Sequence, residues 1–327
     1  MTHGRRLSPR LFVTVLAAAT AVAAAVHLCI GLGEIDELTR QIVLQMRLPR
    51  LLVAVAGGAA LGLAGAAMQA TFRNPLASPD VVGTAAGAAL GGALAIVARA
   101  AEVNALAVPV ASLLGASFVT WLVFAFAGVG ARFSATSLLL AGIAMNTLAG
   151  ALTTFVVTLT VDNYTASSKV LFWLMGGLDA QNWSKAAITA VGAVVFGVPL
   201  LLRARELDVL VLNDDSAFSL GLDAATARRW LLWFACGLTA TTVANTGGIA
   251  FLGLVVPHLA RLLVGPAHRV LLPAAALLGA FVLVLADLAC RNLPVTVNVR
   301  LGVVTSLLGA PYFLYLLRRH QRGEELQ

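Results

Sequence analysis

Long apolar stretches separated by short polar connections set the pattern of this chain. Uncharged, mostly apolar runs cover 11–33, 51–72, 81–98, 103–131, 133–161, 186–202, 230–260, 270–286 and 301–317. Each has 17 or more residues, and about 20 helical residues cross a hydrocarbon core about 30 Å thick. The run 230–260 would reach about 46 Å as one helix, too long for one crossing. Gly247-Gly248 in its middle marks a break. The pattern therefore predicts an all-α polytopic membrane protein, one transmembrane domain over 1–327 with ten transmembrane helices and both termini on the same side. The apolar run after Arg5, Arg6 and Arg10 exceeds a signal-peptide core and no clear cleavage boundary follows it, so it reads as a retained first helix.

Composition narrows the class. Of 327 residues, 60% are hydrophobic and 11% charged, whereas soluble domains carry about a quarter charged residues. A cytosolic enzyme, a nucleic-acid-binding domain and a disordered tail are excluded. The net charge of +7 belongs to loop flanks: most of the 22 basic residues fall on one side if both termini lie there, which assigns that side to the cytoplasm. Arg47, Arg50, Arg291 and Arg300 then lie on the outer side near helix ends, and Lys169 and Lys185 are the only lysines. Cys29, Cys236 and Cys290 sit in apolar runs without CxxC spacing and read as small buried hydrophobes. The 30 glycines, as in Ala56-Gly57-Gly58-Ala59-Ala60, are spread through the helices, where small residues let backbones approach closely.

Five segments interrupt the apolar pattern. Arg47-Leu48-Pro49-Arg50 places a proline suited to the first turn of a helix, with arginines at i and i+3 able to point the same way, toward a partner or toward lipid headgroups. Gln69-Ala70-Thr71-Phe72-Arg73-Asn74-Pro75-Leu76-Ala77-Ser78-Pro79-Asp80-Val81-Val82-Gly83 predicts an inner turn. In Leu207 to Arg229, Asp214 or Asp215 can cap a short helix ending at Gly221, with another helix from Asp223. Its apolar knobs Phe218 and Leu220 fit a groove on a partner. The last two are Gly253-Leu254-Val255-Val256-Pro257-His258-Leu259-Ala260-Arg261 and Gly302 to Phe313, which contains Gly309-Ala310-Pro311-Tyr312-Phe313.

In this order, and over essentially the whole chain, these segments resemble the permease subunit of the iron–siderophore and vitamin B12 family of ABC importers. Trp173-Leu174-Met175-Gly176-Gly177 and Leu138-Leu139-Leu140-Ala141-Gly142 match it as well. The resemblance implies ten helices per subunit in the vitamin B12 permease (type II importer) fold. It also implies residence in the cytoplasmic (inner) membrane, and a second permease subunit, identical or paralogous, across a central pathway. Two ATP-binding subunits and a periplasmic or lipid-anchored siderophore-binding protein would complete the assembly. No Walker motif occurs in the chain, so hydrolysis falls to a separate subunit and the chain is not itself an enzyme.

The resemblance also assigns residues. Arg47, Arg50 and Arg291 match positions that dock carboxylates of the binding protein. An ion pair with Asp287, four residues earlier on the same helix face, competes at Arg291. Asp214, Asp215, Ser216, Ala217, Phe218, Leu220 and Gly221, in a cytoplasmic coupling segment at about 203–229, match the family's contact with the ATPase. Ser134, Ala135, Thr136 and Ser137 match a cytoplasmic gate, or cap the helix they open. Met68, Gln69 and Asn146, on the second and fifth helices, are candidates to line the pathway. No cofactor, metal site or nucleic-acid partner is implied. His258 has no second ligand at metal-site spacing. Arg300 stands where the family usually has proline, and Gly248 where proline is frequent.

The leading expectation is a permease for a ferric siderophore, because Ser78-Pro79-Asp80-Val81-Val82-Gly83 is closest in wording to ferric-enterobactin-type permeases. Vitamin B12 and haem are the alternatives within the family. A secondary transporter driven by an ion gradient would need ionisable residues at the membrane centre, and few candidates exist. An intramembrane enzyme would need a constellation such as H-E-x-x-H, which is absent from the sequence.

Overall fold

The computed structural model describes residues 9–30, 36–128, 135–160, 164–179, 181–212, 214–293 and 299–321. Among these, every regular element is helical. In chain order the helices are α1 (Pro9–Cys29), α2 (Glu37–Ile42), α3 (Leu48–Thr71), α4 (Thr84–Val97), α5 (Ala100–Val103) and α6 (Ala107–Phe126). Then come α7 (Ala135–Thr158), α8 (Tyr164–Leu174), α9 (Trp183–Leu202), α10 (Ala204–Leu212) and α11 (Asp214–Ser219). The chain finishes with α12 (Ala224–Thr246), α13 (Leu252–Val264), α14 (His268–Asn292) and α15 (Leu301–Gln321).

Among the described residues, six helical segments are long and apolar enough to cross a membrane: Leu11–Cys29, Glu37–Thr71, Ala107–Phe126, Thr136–Thr158, Trp183–Leu202 and His268–Asn292. Thr84–Val97, Leu252–Val264 and Leu301–Tyr315 are apolar but shorter. α12 has 23 residues and a more polar, threonine-rich composition. Its break from α13 falls where the apolar run is too long for one helix. Gly247 takes a left-handed φ of 68°, and a Cβ there would strike the Trp173 carbonyl, so glycine is needed for both reasons.

α3 is the buried centre of the bundle. Val53, Ala54, Ala60, Ala64, Ala67 and Met68 are fully buried along it. Its glycines bring neighbouring backbones into direct contact: a Cβ at Gly58 would collide with the Gly279 carbonyl of α14, one at Gly62 with the Ala275 carbonyl, and one at Gly65 with the Gly253 carbonyl of α13. Lipid tails are as apolar as leucine, so the cohesion comes from this close van der Waals fit.

Pro49 lies in the first turn of α3, as its position in the sequence suggested, although α3 continues a helical path rather than starting one. The helical path is continuous from Glu37, and a π-helical turn at Val43–Arg47 immediately precedes α3. A proline ring clashes with the carbonyl four residues back and donates no hydrogen bond. The wider π turn accommodates that ring.

The contacts define two ends. The C-terminus of α1, the N-terminus of α3 and the C-terminus of α14 meet at one, and the C-terminus of α3 meets α10, α11 and the start of α12 at the other. By the placement of basic residues the second is named the inner end and the first the outer end.

Gly62→Val is expected to prevent the α3–α14 approach and abolish the folded monodisperse peak in detergent size-exclusion chromatography, because backbone rather than a flexible side chain blocks the new Cβ. Gly150→Ala on α7, where a Cβ meets nothing within 4 Å, should keep that peak and raise stability by up to about 1 kcal/mol.

Candidate functional site: a cavity between two charged ends

At the outer end the three expected docking arginines are committed within the chain. Arg47 donates through Nη1 to the carbonyls of Leu28 (2.7 Å) and Ile30 (2.8 Å), and Arg291 donates to the His27 carbonyl at 2.9 Å. Both satisfy carbonyls that the end of α1 leaves without intrahelical donors, and both complement its dipole. Arg50 forks onto Asp287, Nε to Oδ2 at 2.8 Å and Nη2 to Oδ1 at 2.7 Å. It also lies 3.3 Å from Asp179. The Asp287 carboxylate is 1% exposed and its second partner is His27 Nε2 at 2.7 Å, itself fully buried. The competing pair for Asp287 is thus Arg50 with His27, not Arg291 on its own helix. Arg47 and Arg50 reach different partners rather than pointing together.

The inner end is built around Asp214, the first residue of α11. Its Oδ1 accepts from Arg73 Nη2 and from Arg228 Nη2, the latter at 3.0 Å. Arg73 lies just beyond α3 with a left-handed φ of 48°, and its Nε donates to the Leu210 carbonyl at 2.6 Å. A non-glycine residue in that region is held there by its surroundings, here by its bonds to the Leu210 carbonyl and to Asp214. Burial pushes the Asp214 carboxyl up, but the two arginines outweigh it and hold it below the usual carboxylate range. The grip is therefore intact above that range and is lost only as pH falls through the depressed value. Asp208 of α10 adds a second tie, capping α14 through the His268 backbone N–H (2.9 Å) and meeting His268 Nδ1 at 2.6 Å.

α11 runs Asp214–Ser219, with Gly221 at φ 77° ending the turn and Asp223 capping α12 by accepting from Ala225 and Thr226 N–H. Asp215 and Ser216 lie on its first turns. Ala217 is buried, whereas Phe218 is 83% and Leu220 65% exposed. The apolar knobs stand out from the bundle, while Asp214 and Ala217 face it.

Between the ends lies a cavity of about 710 Å³. Its wall is Ala85 of α4, Leu174 and Met175, Val243 of α12, Gly248 to Ala250, and the α15 face that includes Val303, Leu307 and Leu314. Asp80, in the 3₁₀ turn Pro79–Val82, is its one charged lining residue among the described residues. None of Met68, Gln69 or Asn146 lines it. Met68 is fully buried in the α3 packing, and Gln69 is 2% exposed and donates to the Leu254 carbonyl at 3.0 Å. Asn146 instead holds the turn behind the wall, donating from Nδ2 to the Asp80 carbonyl at 2.7 Å. Of the gate segment, Ser134 lies outside the described residues, Ala135 opens α7, Thr136 is exposed and Ser137 half-buried. His258 is buried against Tyr312, ring centroids 6.3 Å apart in an edge-on arrangement.

Residues 10–319 match the FecCD transport family. The chain belongs to that family. It is 40% identical over 284 residues to the cobalamin import system permease protein BtuC of Halobacterium salinarum, covering 87% of this chain and 75% of the relative. It is 33% identical over 335 residues to the Fe(3+)-citrate import system permease protein YfmE of Bacillus subtilis, 99% of both chains. Against the hemin transport system permease protein HmuU of Yersinia pestis it is 39% identical over 281 residues, 85% of this chain and 83% of that one. A solved structure of an inward-facing metal-chelate-type ABC transporter superposes with a TM-score of 0.87 at 32% identity, over 95% of this chain and 99% of the other.

As a FecCD permease the chain is a multi-pass membrane subunit of an ABC importer, working with a second permease subunit and with ATP hydrolysed on a separate subunit. The residues that sequence reasoning missed in it are His27, Asp179, Asp208 and His268. Each has a partner remote in sequence, and no local spacing signals it.

Asp287→Asn leaves a buried guanidinium facing a neutral amide and is expected to cost about 3–5 kcal/mol in detergent thermal unfolding. Glu37→Gln, in a pair with Arg40 whose side chains are 71% and 70% exposed, should change stability by less than about 0.5 kcal/mol.

Proposed function

We propose that this FecCD permease carries a ferric siderophore across the cytoplasmic membrane in ten spans, with both termini cytoplasmic. The supporting observation is that Ser78 to Gly83, the segment closest in wording to ferric-siderophore permeases, supplies Asp80 to an otherwise apolar cavity of about 710 Å³. Such a volume suits a large chelate, and the second permease subunit, identical or paralogous, would enclose it from the other side. The relatives transport cobalamin, ferric citrate and hemin by name, so the cargo is the part of the reading that needs direct measurement.

A siderophore-binding protein docks at the outer end, where Arg47, Arg50 and Arg291 gather positive charge that would steer acidic lobes into register. Two ATP-binding subunits take the exposed Phe218 and Leu220 into their clefts, and Thr136 and Ser137 at the start of α7 belong to the cytoplasmic gate with Ser134 and Ala135. Because Arg73 and Arg228 fix Asp214, a push on α11 is delivered to the end of α3 rather than absorbed by a loose loop.

Uptake of labelled ferric siderophores, haem and cobalamin by cells with and without the chain tests the cargo. Ferric siderophore accumulation that requires the chain is expected, and accumulation of cobalamin or haem alone overturns it. Phe218→Asp should leave folded permease at wild-type yield while the ATPase subunits no longer co-purify. Retention of a fully active complex would remove α11 from the coupling contact.

A further inference from the structure

A second cavity, of about 370 Å³, opens at the outer end between α4–α6, the end of α8, the end of α12 and the start of α15. Its charged lining is Arg99, Lys169, Lys185 and Arg300 against Glu102 and Asp179. The protein has only two lysines, and both are here. Asp179 is engaged by Arg300 (2.6 Å), itself one of the four lining cations, and by Arg50 (3.3 Å), so the lining keeps its surplus of positive charge.

The cationic groups stand on a structured wall. The Arg300 guanidinium is only 17% exposed and lies 4.5 Å over the Phe172 ring, which fixes its plane. Two amides add acceptors. Gln181 donates from Nε2 to the Asn245 carbonyl at 2.9 Å, and Asn245 donates from Nδ2 to Thr189 Oγ1 at 3.0 Å. Their own amide oxygens, Gln181 Oε1 and Asn245 Oδ1, have no hydrogen-bond partner among the described residues, and Asn245 is 5% exposed. A buried polar atom normally finds a partner. The larger cavity offers the opposite chemistry, apolar walls with a single carboxylate.

We infer that this outer cavity is a recognition site for the free carboxylates and hydroxyls of an anionic ferric chelate, which it holds before the chelate enters the larger cavity. Charge-assisted hydrogen bonds from Arg300 and the lysines bind the carboxylates, and the two amide oxygens accept from hydroxyl groups. The inference rests on the ferric-chelate reading above and narrows it to polycarboxylate ligands.

The test uses the full chain in phosphatidylcholine nanodiscs, with radiolabelled ferric citrate and a neutral ferric trishydroxamate as probes in equilibrium dialysis. Wild-type protein should bind ferric citrate saturably and at least about tenfold more tightly than the neutral chelate, with affinity falling as salt rises. Arg300→Gln and, separately, Lys185→Gln should each weaken citrate binding about tenfold, with Arg300→Lys recovering part of the loss. No saturable citrate binding, equal affinity for the neutral chelate, or citrate affinity unchanged in both glutamine variants overturns the proposal. Loss of citrate binding when phosphatidylglycerol is added to the discs, with no salt-sensitive binding in phosphatidylcholine alone, assigns the cavity to lipid headgroups and also overturns it. Cellular uptake separates the two readings. Transport of the neutral chelate without preference for citrate removes this site but leaves the ferric-chelate permease standing, whereas transport of neither removes the permease reading itself.

Discussion

Backbone contact between α3 and the helices around it is the constraint from which the rest follows. With Gly58, Gly62 and Gly65 set against carbonyls of α14 and α13, no side chain separates these helices, and their relative heights are fixed to within a van der Waals radius. In lipid, where burial of apolar surface gives little preference for one helix pairing over another, such a fit determines which helices pair. It also determines where the ends of α3 arrive. The outer end brings Arg50 to Asp287, and the inner end brings Arg73 to Asp214. A bundle slipped by one turn, about 5.4 Å, would leave both carboxylates without their arginines.

The two charged ends solve different problems with the same residue type. Asp287 is nearly inaccessible, so its cost of desolvation is large and is offset only because a bidentate arginine and a histidine meet it together. That arrangement is rigid and suits a strut. Asp214 keeps a 56% exposed side chain, where ion pairs are weak singly and the grip depends on two arginines acting on one oxygen. Such a contact opens at less cost than the buried one at Asp287. The outer arginines therefore have a structural duty that any docking role must share.

Much of this was legible from local pattern. The helix break at Gly247-Gly248, the short helix from Asp214 and the Asp223 cap each follow from a few adjacent residues. The exposure of Phe218 and Leu220 also agrees with their reading as knobs. What the sequence left hidden depends on distance along the chain. His27 and Asp287 are 260 residues apart, and nothing in a helical repeat says that one histidine meets one carboxylate. Polar residues in helices are hidden for a related reason. Gln69 and Asn146 interrupt apolar runs, and each donates to a backbone carbonyl of a neighbouring segment that no local spacing signals. A lone amide in a bundle is more readily satisfied by adjacent backbone than kept for a passing solute. Pro49 sits in the first turn of α3 as expected, but the π turn ahead of it leaves no separate trace in sequence.

The segment from Arg73 to Gly83 joins the arginine contact at Asp214 to the cavity wall by a short covalent route. Arg73 at one end grips Asp214, and near the other end Asp80 faces the cavity while Asn146 of α7 donates to the Asp80 carbonyl and the Val81 carbonyl packs closely on Gly142. Two prolines, Pro75 and Pro79, limit how far the segment can flex, and Pro79 is packed against Gly253 at the start of α13. On the proposed coupling, movement of α11 would pass to a short stiff linker whose far end touches α7 and α13 at once. In a largely apolar wall a small shift of one carboxylate changes the local electrostatics more than the same shift would in a polar site. The proposed ATP-driven step therefore falls at this turn rather than at the helices lining most of the cavity.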